Sequence, residues 1–180
     1  MHGQTLALIA LNVVGGAAVL ASYAIGLASQ SSSGAALWGG VPASLRPYYT
    51  VNMLLAAAGY FLFTPYILFR LDPEQVRFAG GLGYGIFLAL YALVLIPSAL
   101  WLPLTQQLIA QPSAWLWALV RADLALVALG SIGLLWALIA LGADAPRGLG
   151  VAIAGLVPFC VQTALLDAVI WPALFPRAGG

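Results

Sequence analysis

The feature that most constrains this chain is how little charge interrupts runs long enough to cross a bilayer. About five stretches of roughly 20 or more apolar residues follow one another with short connections. Charged residues make up 6% of the 180. An ordinary soluble domain carries about 25%, so this chain cannot cover a water-facing surface and lipid is its natural solvent. The expected fold class is therefore all-α: a polytopic membrane protein, a compact bundle of about five transmembrane helices forming a single transmembrane domain over residues 1–180.

The apolar runs place spans at about Thr5–Ala28, Tyr49–Phe69, Phe78–Leu104, Trp115–Leu141 and Leu149–Phe175. The first is too long for a signal-peptide core and no basic residue precedes it, so it reads as a retained helix. Residues 29–47 form the longest loop and carry Ser, Gly and Pro with Trp38. Arg70, Arg77 and Arg147 fall on the side of the N-terminus, the near side below. Arg46 and Arg177 fall on the opposite, far side. By the positive-inside rule this favours a cytoplasmic N-terminus.

Several function classes lack the residues they need. A net charge of +1 gives no electrostatic basis for nucleic acid. The only histidine is His2, so no imidazole within the bundle can ligate haem or a metal. The single cysteine, Cys160, reads as a small apolar residue. There is no Cys–His pair, Gly-x-Ser-x-Gly, phosphate-cradling loop or carboxylate pair at catalytic spacing, so no catalytic residue is assigned.

What remains informative is the polar content of the spans. Charges there are costly unless paired or in reach of water. Arg121 and Asp167 fall at similar depth on consecutive, antiparallel spans, so an intramembrane Arg121–Asp167 ion pair is expected. Asp123, two residues from Arg121, points elsewhere on the helix. Trp38, Tyr49, Asn52, Trp101 and Gln162 gather on the same far side, with Trp115, Trp117 and Trp171. One reading is an interfacial aromatic belt. The other is a pocket for an amphipathic ligand under the long loop, favoured for Trp38, Asn52, Trp101 and Gln162 because they converge with that loop. On the near side, Gly81 and Gly85 have small-xxx-small spacing, as do Ala79 and Gly83. That face predicts either homodimerisation through the third span or close packing within the chain.

Three segments carry a family resemblance. Trp38, Pro47, Tyr49 and Thr50 fit a loop and helix-entrance pattern of roughly W-x-P-P-x-W-x-F-x-P-V-W-T. Leu90, Tyr91, Leu95, Trp101, Pro103 and Leu104 fit L-Y-x-x-Q-L-x-L-N-x-x-W-x-P-L in register, and Leu156, Pro158 and Phe159 fit L-x-P-Y. In these the chain resembles the tryptophan-rich sensory protein / translocator protein (TspO) family. It departs where Val94 replaces Gln, Ser98 replaces Asn and Gln162 replaces Trp, and the family offers no counterpart for Arg121 and Asp123. The resemblance implies a non-enzymatic receptor or carrier in a bacterial inner or organellar membrane. Its ligand would be a tetrapyrrole (porphyrin or haem) or a sterol, held between helices and capped by the 29–47 loop. The lining would be Trp38, Tyr49, Asn52, Tyr91, Ser98, Trp101, Phe159 and Gln162, with no required cofactor beyond a bound porphyrin, haem or lipid. Porphyrin breakdown, which involves tryptophans in the family, is not expected, because the fifth-span tryptophan is missing. Two other readings stay open: a structural or assembly subunit of a larger membrane complex, and a small transporter using Arg121, Asp123 and Asp167.

Overall fold

The computed structural model describes residues 2–28 and 34–176. Residues 29–33 of the first loop and Arg177 lie outside the described residues. The elements are α1 (Gly3–Ala28), a short α2 (Gly34–Leu37), α3 (Arg46–Phe69), α4 (Ile86–Ala110), α5 (Ala114–Ala140) and α6 (Leu149–Cys160). Helix α6 runs on without a break through a π-helical stretch, Val161–Ile170, into α7 (Trp171–Leu174). Five helices among the described residues are long and apolar enough to span a membrane, the fifth being the composite Leu149–Leu174.

These sequences form helices because lipid offers no partner to a free N–H or C=O, and the helix satisfies both within one segment. The outward faces show which solvent they meet. Val14 is 70% exposed, Leu20 73% and Phe61 76%. Apolar side chains this exposed along whole helices suit hydrocarbon, not water. The chain is a multi-pass integral membrane protein.

Helix α3 packs along α6, α4 along α5, and α1 along α4, while α5 also meets α6 and the π-helical stretch. The order around the bundle is α1–α4–α5–α6–α3. The ring is loosest between α1 and α3, where the Tyr60 hydroxyl donates to Asn12 Oδ1 across the seam. The tightest crossing is α3 on α6. A Cβ added at Gly59 would stand 2.0 Å from the Gly155 carbonyl oxygen. Two glycines facing each other let the backbones come this close, the usual source of contact energy between helices in lipid.

The third span corrects the expected boundaries. It begins at Ile86, not Phe78, because Gly80 and Gly81 adopt φ of +75° and +78° and fold the segment into a turn. The Phe78 N–H donates to the Leu82 carbonyl at 2.8 Å, and Arg77 bridges to Gly83. Gly81 and Gly85 therefore share no helical face, and neither do Ala79 and Gly83, so the expected small-residue helix face is not formed. At the other end α4 runs on to Ala110, six residues beyond the expected Leu104. There Gln106 Nε2 donates to the Gly26 carbonyl at 2.8 Å and ties α4 to the end of α1.

The α3–α6 crossing gives a direct test. Gly59→Ala should lower the stability of the detergent-solubilised protein by about 1–3 kcal/mol, since rigid backbone opposes the added methyl. Gly16→Ala is the control: nothing lies within 4 Å of its added Cβ, and it should be neutral or stabilising by up to about 1 kcal/mol. Equal thermal shifts for the two would contradict the crossing.

Candidate functional site

The candidate site is a layer of polar groups between two apolar clusters. The larger cluster, with Leu8, Phe63, Tyr91, Leu134 and Leu156, fills the near and middle parts of the bundle. The smaller, with Val41, Tyr49, Leu108, Val120, Leu124 and Trp171, closes the far end. Gln162 falls between Phe159, packed on the larger cluster, and Leu166, packed on the smaller, while Asp123 lies between Val120 and Leu124 and Thr105 between Leu104 and Leu108, at the inner edge of the smaller cluster.

The π-helical stretch builds one wall of the layer. In an i→i+5 helix, side chains five residues apart share a face. Gln162 and Asp167 have that spacing, and Gln162 Nε2 donates to Asp167 Oδ1 at 2.8 Å. Asn52 on α3 completes the row, its Nδ2 donating to Gln162 Oε1 at 3.0 Å and to the Pro158 carbonyl at 3.1 Å. A relay of amides thus runs from α3 to the carboxyl group of Asp167.

The opposite wall comes from α1, α4 and α5. Asp123 is 5% exposed, and its Oδ2 has no hydrogen-bond partner. The same holds for the fully buried Thr105 hydroxyl, the Trp101 indole N–H and the Ser22 hydroxyl. Trp101 lies nine residues before the end of α4 and Asp123 nine residues after the start of α5. At a rise of about 1.5 Å per residue both sit roughly 13 Å in from the far end. Tyr23 stacks on Trp101 with centroids 6.1 Å apart, and lies within electrostatic range of both Asp123 and Asp167. Most buried polar groups in proteins find a partner, so four that do not, on helices framing the same end of the bundle, mark the layer as unusual.

Above the layer the first loop is pinned down. Trp171 Nε1 donates to the Leu37 carbonyl at 2.9 Å, and the Tyr49 hydroxyl to the Leu166 carbonyl at 3.1 Å. Trp38 meets Tyr49 edge-on at 6.1 Å, and the Arg46 guanidinium lies 5.6 Å from the Trp38 ring centre. Trp101 and Trp117 close on Trp171, at 6.1 and 6.3 Å. These aromatic rings pack on one another. A surface cleft of about 540 Å³ opens beside them, lined by Gly39, Leu108, Pro112, Trp117 and Phe175 among others.

The expected site residues divide. Trp38, Tyr49, Asn52, Trp101 and Gln162 come together at the far end. Tyr91 and Phe159 do not: Tyr91 is buried in mid-bundle, donating to the Thr64 hydroxyl at 2.8 Å, and Phe159 packs on Tyr60 and Phe63. Ser98 is half-buried on α4, one turn from Trp101. The Arg121–Asp167 pair is corrected. Arg121 is exposed on α5 and forms no ion pair with Asp167, whose partner is Gln162. Residues two apart on a helix diverge by about 200°, so with Asp123 turned inward Arg121 faces out. Helical side chains lean toward the helix N-terminus, here the far interface, where the guanidinium reaches polar surroundings. Sequence reasoning missed Tyr23, Ser22 and Thr105: Ser22 and Tyr23 are one short polar step in an apolar helix, and Thr105 lies just beyond the expected end of the third span at Leu104.

At the near end the layout is simpler. His2 lies 3.6 Å from Glu74, and the Tyr84 hydroxyl donates to the Ile67 carbonyl at 3.0 Å. Burial pushes the Tyr84 phenol above its ordinary value, and a Thr5 hydrogen bond offsets part of the shift. Among the described residues no group of three or more His, Cys, Asp or Glu could hold a metal ion. No family model, curated protein or solved structure matches the chain.

The two partner assignments for Asp167 predict different variants to matter. Gln162→Leu should cost about 1–2 kcal/mol by removing the donor to Asp167 and the acceptor for Asn52. Arg121→Ala should stay within about 0.5 kcal/mol. Thermal unfolding in detergent would decide, and a larger loss for Arg121→Ala would restore the ion pair.

Proposed function

We propose that this protein is a membrane receptor or carrier for a flat, apolar small molecule whose polar group enters the layer beside Asp123. The observation that carries the reading is the presence of unpartnered buried polar atoms, Asp123 Oδ2, Thr105 Oγ1, Trp101 Nε1 and Ser22 Oγ, on three helices that frame the far half of the bundle. A polar group with no partner in the protein is one that a ligand can satisfy, and apolar walls with a few placed polar groups are what ligand pockets generally offer. The aromatic rings around the layer supply flat faces for such a body, and the loose seam between α1 and α3 is a route from the bilayer, held at mid-depth by the Tyr60–Asn12 hydrogen bond.

The resemblance to the TspO family supports the same class of ligand, since Trp38, Tyr49 and Trp101, which carry part of it, stand at this end. Between the two classes it implies, the chemistry of the layer favours a sterol-like ligand. A sterol brings one hydroxyl, which can donate to a carboxyl group. A porphyrin or haem brings carboxylate arms that would meet Asp123 and Asp167, with Arg46 over Trp38 and Arg121 outside.

Energy transfer from the protein's tryptophans to the fluorescent sterol dehydroergosterol, in nanodiscs, tests the reading. Transfer should saturate, and Trp101→Phe, which removes the indole donor and keeps an aromatic ring, should weaken binding by about fivefold. Transfer that never saturates, with dehydroergosterol or with protoporphyrin as the acceptor, would contradict it.

A further inference from the structure

We propose that the polar head received by this layer is a protonated amine, so that the ligand is an amphipathic organic cation. The proposal rests on the binding reading above and gives the ligand's head a positive charge in place of the neutral hydroxyl considered there. Two carboxyl groups, Asp123 and Asp167, face the interior of the bundle, and among the described residues neither forms an ion pair. The chain has no lysine among its six basic residues, Arg121 is exposed on the outer face of α5, and Arg46 is engaged by the Trp38 ring and the Val41 carbonyl. A carboxyl group away from water is stabilised by an opposite charge or by hydrogen-bond donors. Asp167 receives one donor from Gln162; Asp123 Oδ2 receives none.

The groups around the carboxyls match an ammonium head more closely than an inorganic ion. Hard divalent cations take about six or more oxygens, and no cluster of three or more ligating side chains is present among the described residues. An ammonium needs three acceptors and carries no geometric demand of that kind. Asp123 Oδ2 and the Thr105 hydroxyl are free to accept, and Asp167 keeps an oxygen beyond the one bound to Gln162. Tyr23, within electrostatic range of both carboxyl groups, stacks on Trp101, and aromatic faces attract a desolvated cation. The apolar clusters on both sides require the rest of the ligand to be hydrocarbon-like, which excludes a small hydrated amine.

Three probes with one flat body and different heads test this: pyrenemethylammonium, pyrenemethanol and pyrenecarboxylate. Each is titrated into nanodiscs of zwitterionic lipid and followed by energy transfer from the protein's tryptophans, with partition into empty nanodiscs subtracted. The ammonium should bind at least about tenfold tighter than the alcohol, and the carboxylate most weakly. In Asp123→Asn the advantage of the ammonium over the alcohol should disappear while the alcohol still binds. Equal affinities for ammonium and alcohol, or tightest binding of the carboxylate, would overturn the inference and leave the binding reading standing. No saturable transfer with any probe would overturn the binding reading as well. The ranking of the three probes on the unaltered protein decides the matter even if the variant does not fold.

Discussion

In a bilayer every polar group has to find its partner inside the protein, and that requirement organises this molecule at each level. For the backbone it dictates helices. For the side chains it explains a set of private pairings: Tyr91 with Thr64, Thr163 with Ser131, Tyr60 with Asn12, Tyr84 with the Ile67 carbonyl. Each links two helices or tethers a turn, so polar satisfaction and helix packing are the same contacts. Against that background the far layer stands apart. Asp123, Thr105, Trp101 and Ser22 hold polar atoms that are closed off from solvent and that the chain does not satisfy. On the proposed reading these are the groups that a ligand satisfies.

The π-helical stretch is what lets the layer exist. In an α-helix Gln162 and Asp167 would stand about 140° apart. The wider winding brings them onto one face, where Gln162 meets Asn52 and Asp167 at once. It also carries the chain into Trp171, whose indole reaches the Leu37 carbonyl of the first loop. The loop, the amide relay and the acidic group are thus joined through ten residues of one helix, and π-helical insertions of this kind are often found at functional sites.

How much of this was legible in the sequence follows from the physics of each feature. The spans were, because hydropathy over about 20 residues reports directly on the solvent. The fourth and fifth spans end within a residue or so of the expected positions. The third did not, because Gly80 and Gly81 are apolar by composition yet take left-handed conformations that end a helix. Depth was legible and direction was not. Arg121 and Asp167 fall at matching depths, but which residue of the Arg121–Asp123 pair turns inward depends on how α5 is rotated, and hydropathy around a uniformly apolar helix carries no such information. Asn52 and Gln162 were expected on the same far side, and the contact between them depends on the π-helix. Tyr91 and Phe159 followed a motif rather than a position, and they lie in the aromatic core.

The central claim is that the unpartnered polar layer holds a small molecule, and native mass spectrometry of the protein released from its own membranes tests it most directly. The account predicts a retained, largely apolar molecule of a few hundred daltons, bound one per chain and lost from Asp123→Asn while ordinary phospholipid adducts persist. A protein that carries only phospholipid, or an adduct that the Asp123→Asn change leaves untouched, would contradict it.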